Sequence, residues 1–220
     1  MRHKTTKLLY KLRQFLALIV ISYLLLANKC LYASIQEQLA ELEVSSKGRI
    51  GIYVINTANN THIGYRADEH FPMGCTAKVI GVAAILNQSM NQHDLLSQKI
   101  SYSTNDLTNW SPITKQHLAT GLTIKQLCAA AISFSDNTAM NLLVKQMGGL
   151  NEMTHFAHTL GNTSFRQDNN WPKEAYSGGK DNLDDSSTPK DMADSLQKLA
   201  FTAALAKPQR EMLVSWLKAN

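Results

Sequence analysis

Phe71-Pro72-Met73-Gly74-Cys75-Thr76-Ala77-Lys78 sets a thiol three residues ahead of an amine, at the head of the apolar run Thr76–Gln88. That run contains alanines and no proline, and it predicts a helix. Positions i and i+3 share a helix face, so the Cys75 sulfur and the Lys78 amine can meet. A helix N-terminus and a nearby ammonium both lower a thiol pKa, and a neutral amine can take up the proton. The pattern suits a nucleophile, although a lone cysteine also serves as a small buried hydrophobe. Sixty residues on, Ser135-Asp136-Asn137 lies in a loop between two helical stretches. By itself that triplet also makes an ordinary helix N-cap.

Outward from these two stretches the texture is mostly helical. Ile35, Leu39 and Leu42 in Ser34–Leu42 recur at helical spacing. Arg49–Asn56 (RIGIYVIN) reads as a strand, Thr57–Asn60 as a turn and Thr61–Tyr65 as the returning strand. Thr123 stands three residues before Gln126, a capping-box spacing that opens a helix over Thr123–Ser133. Asn137–Met147 is closed by Gly148-Gly149, and Asn151–Leu160 forms another short helix. Arg166–Thr188 has no periodicity and is rich in Asp, Asn, Ser and Gly, a long loop of the functional or disordered kind. Pro189 and Pro208 sit where helices begin. The expectation is two strands and about seven helices.

Charge divides the chain of 220 residues at residue 33. Residues 1–33 carry six basic side chains and no acid, which leaves 16 basic and 17 acidic over residues 34–220. The net charge of +5 therefore belongs to the leader, which argues against a nucleic-acid binder. A basic Met1–Arg13, the 13-residue apolar run Phe15–Ala27 and a short polar stretch to Ala33 form a secretory signal pattern. A membrane span needs about 20 apolar residues, so cleavage after Ala33 is expected rather than an anchor. Lys29 ahead of Cys30 speaks against a lipoprotein signal. Export places residues 34–220, one domain of 187 residues, in an oxidising space, periplasmic or secreted. Cys75 and Cys128 then remain, enough for one disulfide, with nothing in the sequence to bring them together.

Cys75-x-x-Lys78 followed by Ser135-Asp136-Asn137 resembles the class A β-lactamases and penicillin-binding proteins, whose signature is S-x-x-K, S-D-N and K-T-G. The flanks are similar too: Phe71-Pro72-Met73, Ser103–Leu107 with Ser111-Pro112, Ile132–Ala139, Gly148-Gly149 and Asp185–Pro189. The resemblance covers most of residues 34–220. It implies an α/β (α+β) fold of the β-lactamase/transpeptidase type, an all-helical part packed on an antiparallel sheet. It implies hydrolysis of β-lactam antibiotics through an acyl-enzyme, by a monomer with no metal, cofactor, nucleic acid or stable membrane partner. Cys75 takes the position of the acylated serine and Lys78 that of its proton-shuttling partner. Ser135 matches the hydroxyl that protonates the leaving ring nitrogen, and Asn137 the amide that binds the substrate's amide carbonyl. Trp110 matches an aromatic residue at the cleft rim, and Arg166–Pro189 the Ω-loop that carries a deacylating glutamate.

The chain departs from that pattern in three places. Cysteine replaces serine, with a larger atom and a longer bond to carbon, so slow acylation is expected. Counting from the nucleophile puts Trp171 at the glutamate's position, aligning on the tryptophan puts Pro172 there, and Glu174 is the nearest carboxylate. Glu174 is the candidate for that role, with a solvated loop carboxylate as the other reading. No Lys-Thr-Gly occurs before Asn220, so an incomplete sheet and impaired activity are expected. The alternative is a non-catalytic relative that binds penicillin covalently without turnover. A cell-wall transpeptidase is disfavoured by the long loop and its flanks. Ser195-x-x-Lys198 follows the Ser-Asp-Asn triplet, the wrong order, and is read as chance. His155 and His158 lack a third ligand at a recognisable spacing and are not read as a metal site.

Overall fold

The apolar run behind Cys75 becomes the central helix. A computed structural model describes residues 15–16, 18–19, 21–22, 35–172 and 182–219, in two compact units, Met1–Ile50 and Gly51–Asn220. In the first unit the described residues up to 22 are helical, and helix α1 spans 35–46, a turn longer than its apolar spacing suggests. Its end is tied by the Ile50 N–H, which donates to the Glu43 carboxylate at 2.9 Å. Among the described residues no helix is long and apolar enough to cross a membrane.

The second unit opens with the expected hairpin. Strand β1 is Ile52–Asn56 and β2 is Thr61–Tyr65, antiparallel, with Ile52 opposite Tyr65 and Asn56 opposite Thr61. The strand starts three residues later than the β-rich sequence suggests. The turn closes because Asn60 adopts a left-handed φ of 57° and Asn side chains at 56 and 59 accept local N–H groups. Among the described residues this sheet has two strands, antiparallel as expected.

Four further strands are only two residues long and were not expected. β3 (Phe71–Pro72) pairs with β6 (Ser186–Ser187), and β4 (Lys99–Ile100) pairs with β5 (Leu122–Thr123). No two-residue ladder leaves a periodicity to read, since tertiary packing rather than propensity creates it. The β3–β6 pair matters for the site: it joins the lead-in to Cys75 to the end of the long loop.

Helix α2 is Lys78–Gln88, preceded by a single 3₁₀ turn over Gly74–Ala77. It buries eight of its first nine residues, all but Val79, so it is apolar nearly all round and sits in the middle of the unit. Around it pack α3 (Ile124–Ser133), α4 (Asn137–Met147), α5 (Leu150–Thr159) and α7 (Lys207–Lys218), while α6 (Pro189–Phe201) lies on β1. The fit is close at Gly81, where an added Cβ would come within 2.4 Å of the Met140 methyl on α4. The helix starts follow the sequence. Thr123 and Gln126 cap each other's backbone N–H at α3, and Thr188 caps α6 ahead of Pro189. Gly148, at φ 105°, ends α4 in the left-handed conformation that glycine adopts without penalty.

Candidate active site

Cys75 stands on the 3₁₀ turn rather than on α2 itself. In a 3₁₀ turn residues i and i+3 eclipse, so the change brings Cys75 over Lys78 more directly than an α-helix would. Gly74 makes the turn possible with φ 55°, and Met73 is pinned by its N–H to the Asp185 carbonyl at 2.9 Å. The Cys75 side chain is exposed and free. Cys128 is free too, but it lies in the core on α3, where burial pushes its thiol pKa up. The two do not form a disulfide.

Lys78 is the largest surprise of the interior, a lysine only 1% exposed. Three acceptors hold its ammonium: the Ser135 carbonyl at 2.6 Å, the Asn137 Oδ1 at 2.6 Å and the Ser135 Oγ at 3.1 Å. Its pKa lies below the usual 10.5 because burial penalises the charged form. The Cys75 sulfur and the Asp136 carboxylate pull the other way without reversing the shift. A buried amine of lowered pKa beside an exposed thiol is a proton acceptor in waiting.

The Ser135-Asp136-Asn137 loop carries its acceptors there by strain and by a cap. Ser135 adopts φ 53°, a left-handed conformation costly for a non-glycine residue, which points its carbonyl and hydroxyl at Lys78. Asp136 is fully buried and caps α4 through Ala139 N–H at 2.9 Å. It also accepts from the Ile113 and Thr114 N–H groups, both at 2.9 Å, and from the Thr114 hydroxyl. The triplet is therefore both a helix cap and a site.

A third segment is sewn to that loop. Asn137 Nδ2 donates to the Asn109 carbonyl at 2.8 Å, and the Asn137 N–H donates to the Trp110 carbonyl at 3.0 Å. Trp110 is itself left-handed (φ 62°) and 67% exposed, its indole N–H resting on the Phe134 carbonyl at 3.0 Å. Two strained non-glycine residues, Ser135 and Trp110, thus face each other through one short network. Such strain gathers where surrounding contacts over-determine a working geometry.

The long loop contributes Trp171. Its indole N–H donates to the Gly74 carbonyl at 3.3 Å, and the ring centroid lies 5.9 Å from the Lys78 ammonium. Asn141, one turn along α4 from Asn137, clamps the tryptophan backbone on both sides, at 2.6 and 3.0 Å. At the loop's base the buried Asp185 accepts from Gln167 Nε2 and from the Asp168 and Asn169 N–H groups at 2.8–3.0 Å.

The structure thus brings together Cys75, Lys78, Ser135 and Asn137, with Trp110 at the edge. Glu174 lies outside the described residues. Ser195 and Lys198 do other work: Ser195 bonds Asn162, and Lys198 donates to the Leu160 carbonyl at 2.6 Å, holding α6 to the end of α5. His158 meets the Phe165 carbonyl at 3.2 Å. Asn109 and Asn141 escaped the sequence reading, although Asn141 lies one helical turn beyond Asn137, and Asp185 was read only as part of the stretch that closes the long loop, without its role as that loop's acceptor.

The model of the β-lactamase enzyme family matches residues 34–220. The chain is 44% identical over 202 residues to β-lactamase OXY-2 of Klebsiella oxytoca, covering 90% of this chain and 69% of that protein. It is 43% identical over 213 residues to β-lactamase CTX-M-97 of Escherichia coli, covering 94% and 72%. Among solved structures, a β-lactamase from Desulfarculus baarsii superposes with a TM-score of 0.82 at 40% identity, over 86% of this chain and 70% of that one. A variant of the last common ancestor of Gram-negative bacteria β-lactamase class A superposes with a TM-score of 0.80 at 40% identity, over 85% and 70%.

Proposed function

The chain belongs to the β-lactamase enzyme family, and from that premise we propose that it attacks β-lactam antibiotics through a thioester on Cys75. In the first step the Cys75 sulfur adds to the ring carbonyl and the ring C–N bond breaks. Lys78, as the neutral amine, takes the thiol proton, and the Ser135 hydroxyl at 3.1 Å relays a proton to the departing nitrogen. The second hydrogen of Asn137 Nδ2 is available for the substrate's amide carbonyl once the first is spent on Asn109. Trp110 offers an exposed indole at the cleft rim for apolar parts of the substrate. Hydrolysis of the thioester completes the cycle, with Glu174 the loop carboxylate assigned to activate water. No metal or cofactor takes part.

One observation carries this reading: a buried lysine of lowered pKa, held by Ser135 and Asn137, directly beside an exposed thiol. We assign residues 1–33 to a secretory signal, so the working form is exported, periplasmic or secreted; we take it to be a monomer. The basic, acid-free leader supports that assignment.

Intact-mass spectrometry after exposure to benzylpenicillin tests the chemistry, alongside hydrolysis of a chromogenic cephalosporin. The expected result is an adduct or turnover in the native chain and neither in Cys75→Ala. Reaction that persists undiminished in Cys75→Ala would refute the assignment of the nucleophile.

A further inference from the structure

The S-x-x-K pattern would hold an acyl group as an oxygen ester, whereas Cys75 holds it as a thioester. A thioester carbonyl is the more open to an amine, because sulfur shares its lone pair poorly with the carbonyl and leaves readily as a thiolate. An amine stands beside it. Cys75 and Lys78 are three residues apart across a 3₁₀ turn, where i and i+3 eclipse, and the sulfur is a hydrogen-bond partner of the amine.

The oxygens around Lys78 also decide which way that amine faces. Two of them, the Ser135 carbonyl and Asn137 Oδ1, both at 2.6 Å, can only accept. They bind the two hydrogens of the neutral amine. Its lone pair is left on the side of Cys75 and of the third, longer contact, Ser135 Oγ at 3.1 Å. Acylation leaves the amine in that neutral state: the proton taken from the thiol goes on through Ser135 to the departing ring nitrogen. A well-oriented neighbouring group reacts at an effective concentration of about 10⁵–10⁸ M, far above that of water.

We propose that the acyl group passes from the Cys75 sulfur to the Lys78 amine, so that Lys78 is a site of permanent self-acylation by the β-lactam. The nitrogen bonds to the thioester carbonyl carbon, the C–S bond breaks, and the sulfur leaves as a thiolate. One proton of the attacking nitrogen passes to that thiolate. The products are an amide on Lys78 and a free thiol on Cys75, with no other reactant consumed. This rests on the acylation chemistry proposed above and gives its thioester a second fate, in competition with hydrolysis. An amide nitrogen is not a base, so a chain that has made the transfer has lost its proton acceptor. Activity therefore falls with the number of rings opened.

Peptide mapping after exposure to benzylpenicillin tests the transfer. Trypsin cleaves after Arg66, Lys78 and Lys99, so an amide on Lys78 joins peptides 67–78 and 79–99 into one. The native chain is expected to gain one adduct that neutral hydroxylamine, which cleaves thioesters, does not remove. Cleavage after Lys78 should be lost in step, and Cys75 in the joined peptide should still be alkylated by iodoacetamide. In Lys78→Arg, whose guanidinium stays protonated, any adduct should remain on Cys75 and be removed by hydroxylamine. The native map decides by itself should that variant fail to fold or to acylate. A hydroxylamine-resistant adduct in Lys78→Arg, or a Lys78 amide formed in Cys75→Ala, would overturn transfer from the sulfur. Turnover or a hydroxylamine-labile adduct in the native chain, with cleavage after Lys78 intact, overturns this proposal alone and leaves Cys75 acylation standing. No adduct and no turnover would overturn the acylation chemistry, and this proposal with it.

Discussion

Lys78 is where the residue scale decides most. An amine in the core has one ordinary fate, loss of its charge, and burial pushes its pKa below 10.5 accordingly. Three acceptors within 3.1 Å, with the Cys75 sulfur and the Asp136 carboxylate nearby, oppose that loss, so the ammonium survives with a proton it gives up more readily than a surface lysine. The sign for catalysis follows. The base form is the neutral amine, which gains population as pH rises, so acylation of Cys75 should climb with pH to a limb centred below 10.5. Lys78→Gln should lower the acylation rate by about 10² to 10⁴ and remove that limb from the profile. Stopped-flow acylation across pH checks both, and an unchanged profile in Lys78→Gln removes Lys78 from the proton path. The strained backbones of Ser135 and Trp110 belong to this scale as well, each costing about 1–3 kcal/mol for geometry the site uses.

Among the elements, α4 carries the most. Its N-cap, Asp136, is a buried carboxylate that binds the helix start and, in the same stroke, the 113–114 backbone. Removing it leaves three N–H groups without that acceptor, two of them buried. Asp136→Ala should therefore cost about 2–4 kcal/mol, combining a lost cap with lost charged hydrogen bonds. Urea denaturation measures it, and a loss below about 1 kcal/mol would show the cap to be replaceable by water. The same helix sets Asn137 against Lys78 and Asn141 against Trp171, one turn apart on one face. A shift of α4 would thus move the amine's acceptor and the indole's clamp together.

At the scale of the second unit, stability resides around α2 and little resides at the α6 surface. Leu143, fully buried on α4, should cost about 2–5 kcal/mol as Leu143→Ala, whereas Phe201→Ser, at a side chain 70% exposed, should stay within about 0.5 kcal/mol. Equal losses in the two variants would contradict this division. Phe201 borders an apolar groove of about 390 Å³ shared with Ile55, Leu196 and Leu217.

Much of this unit was legible beforehand. The α3 capping box, the Gly148 stop, the proline starts and the nucleophile–lysine spacing are short-range features, and each acts within a turn or two of its own residues. The sequence by itself therefore determined the helices, the hairpin, the family and four of the residues gathered at the site. Tertiary structure decided what no local pattern encodes. The two-residue ladders, the left-handed Ser135 and Trp110, and the clamp on Trp171 exist because segments far apart in the chain are packed against one another. Counting along the chain put a tryptophan where a carboxylate was expected. Only packing showed that its indole is fixed against the nucleophile's turn, because hydrogen bonds from Asn141 and to Gly74 hold it there.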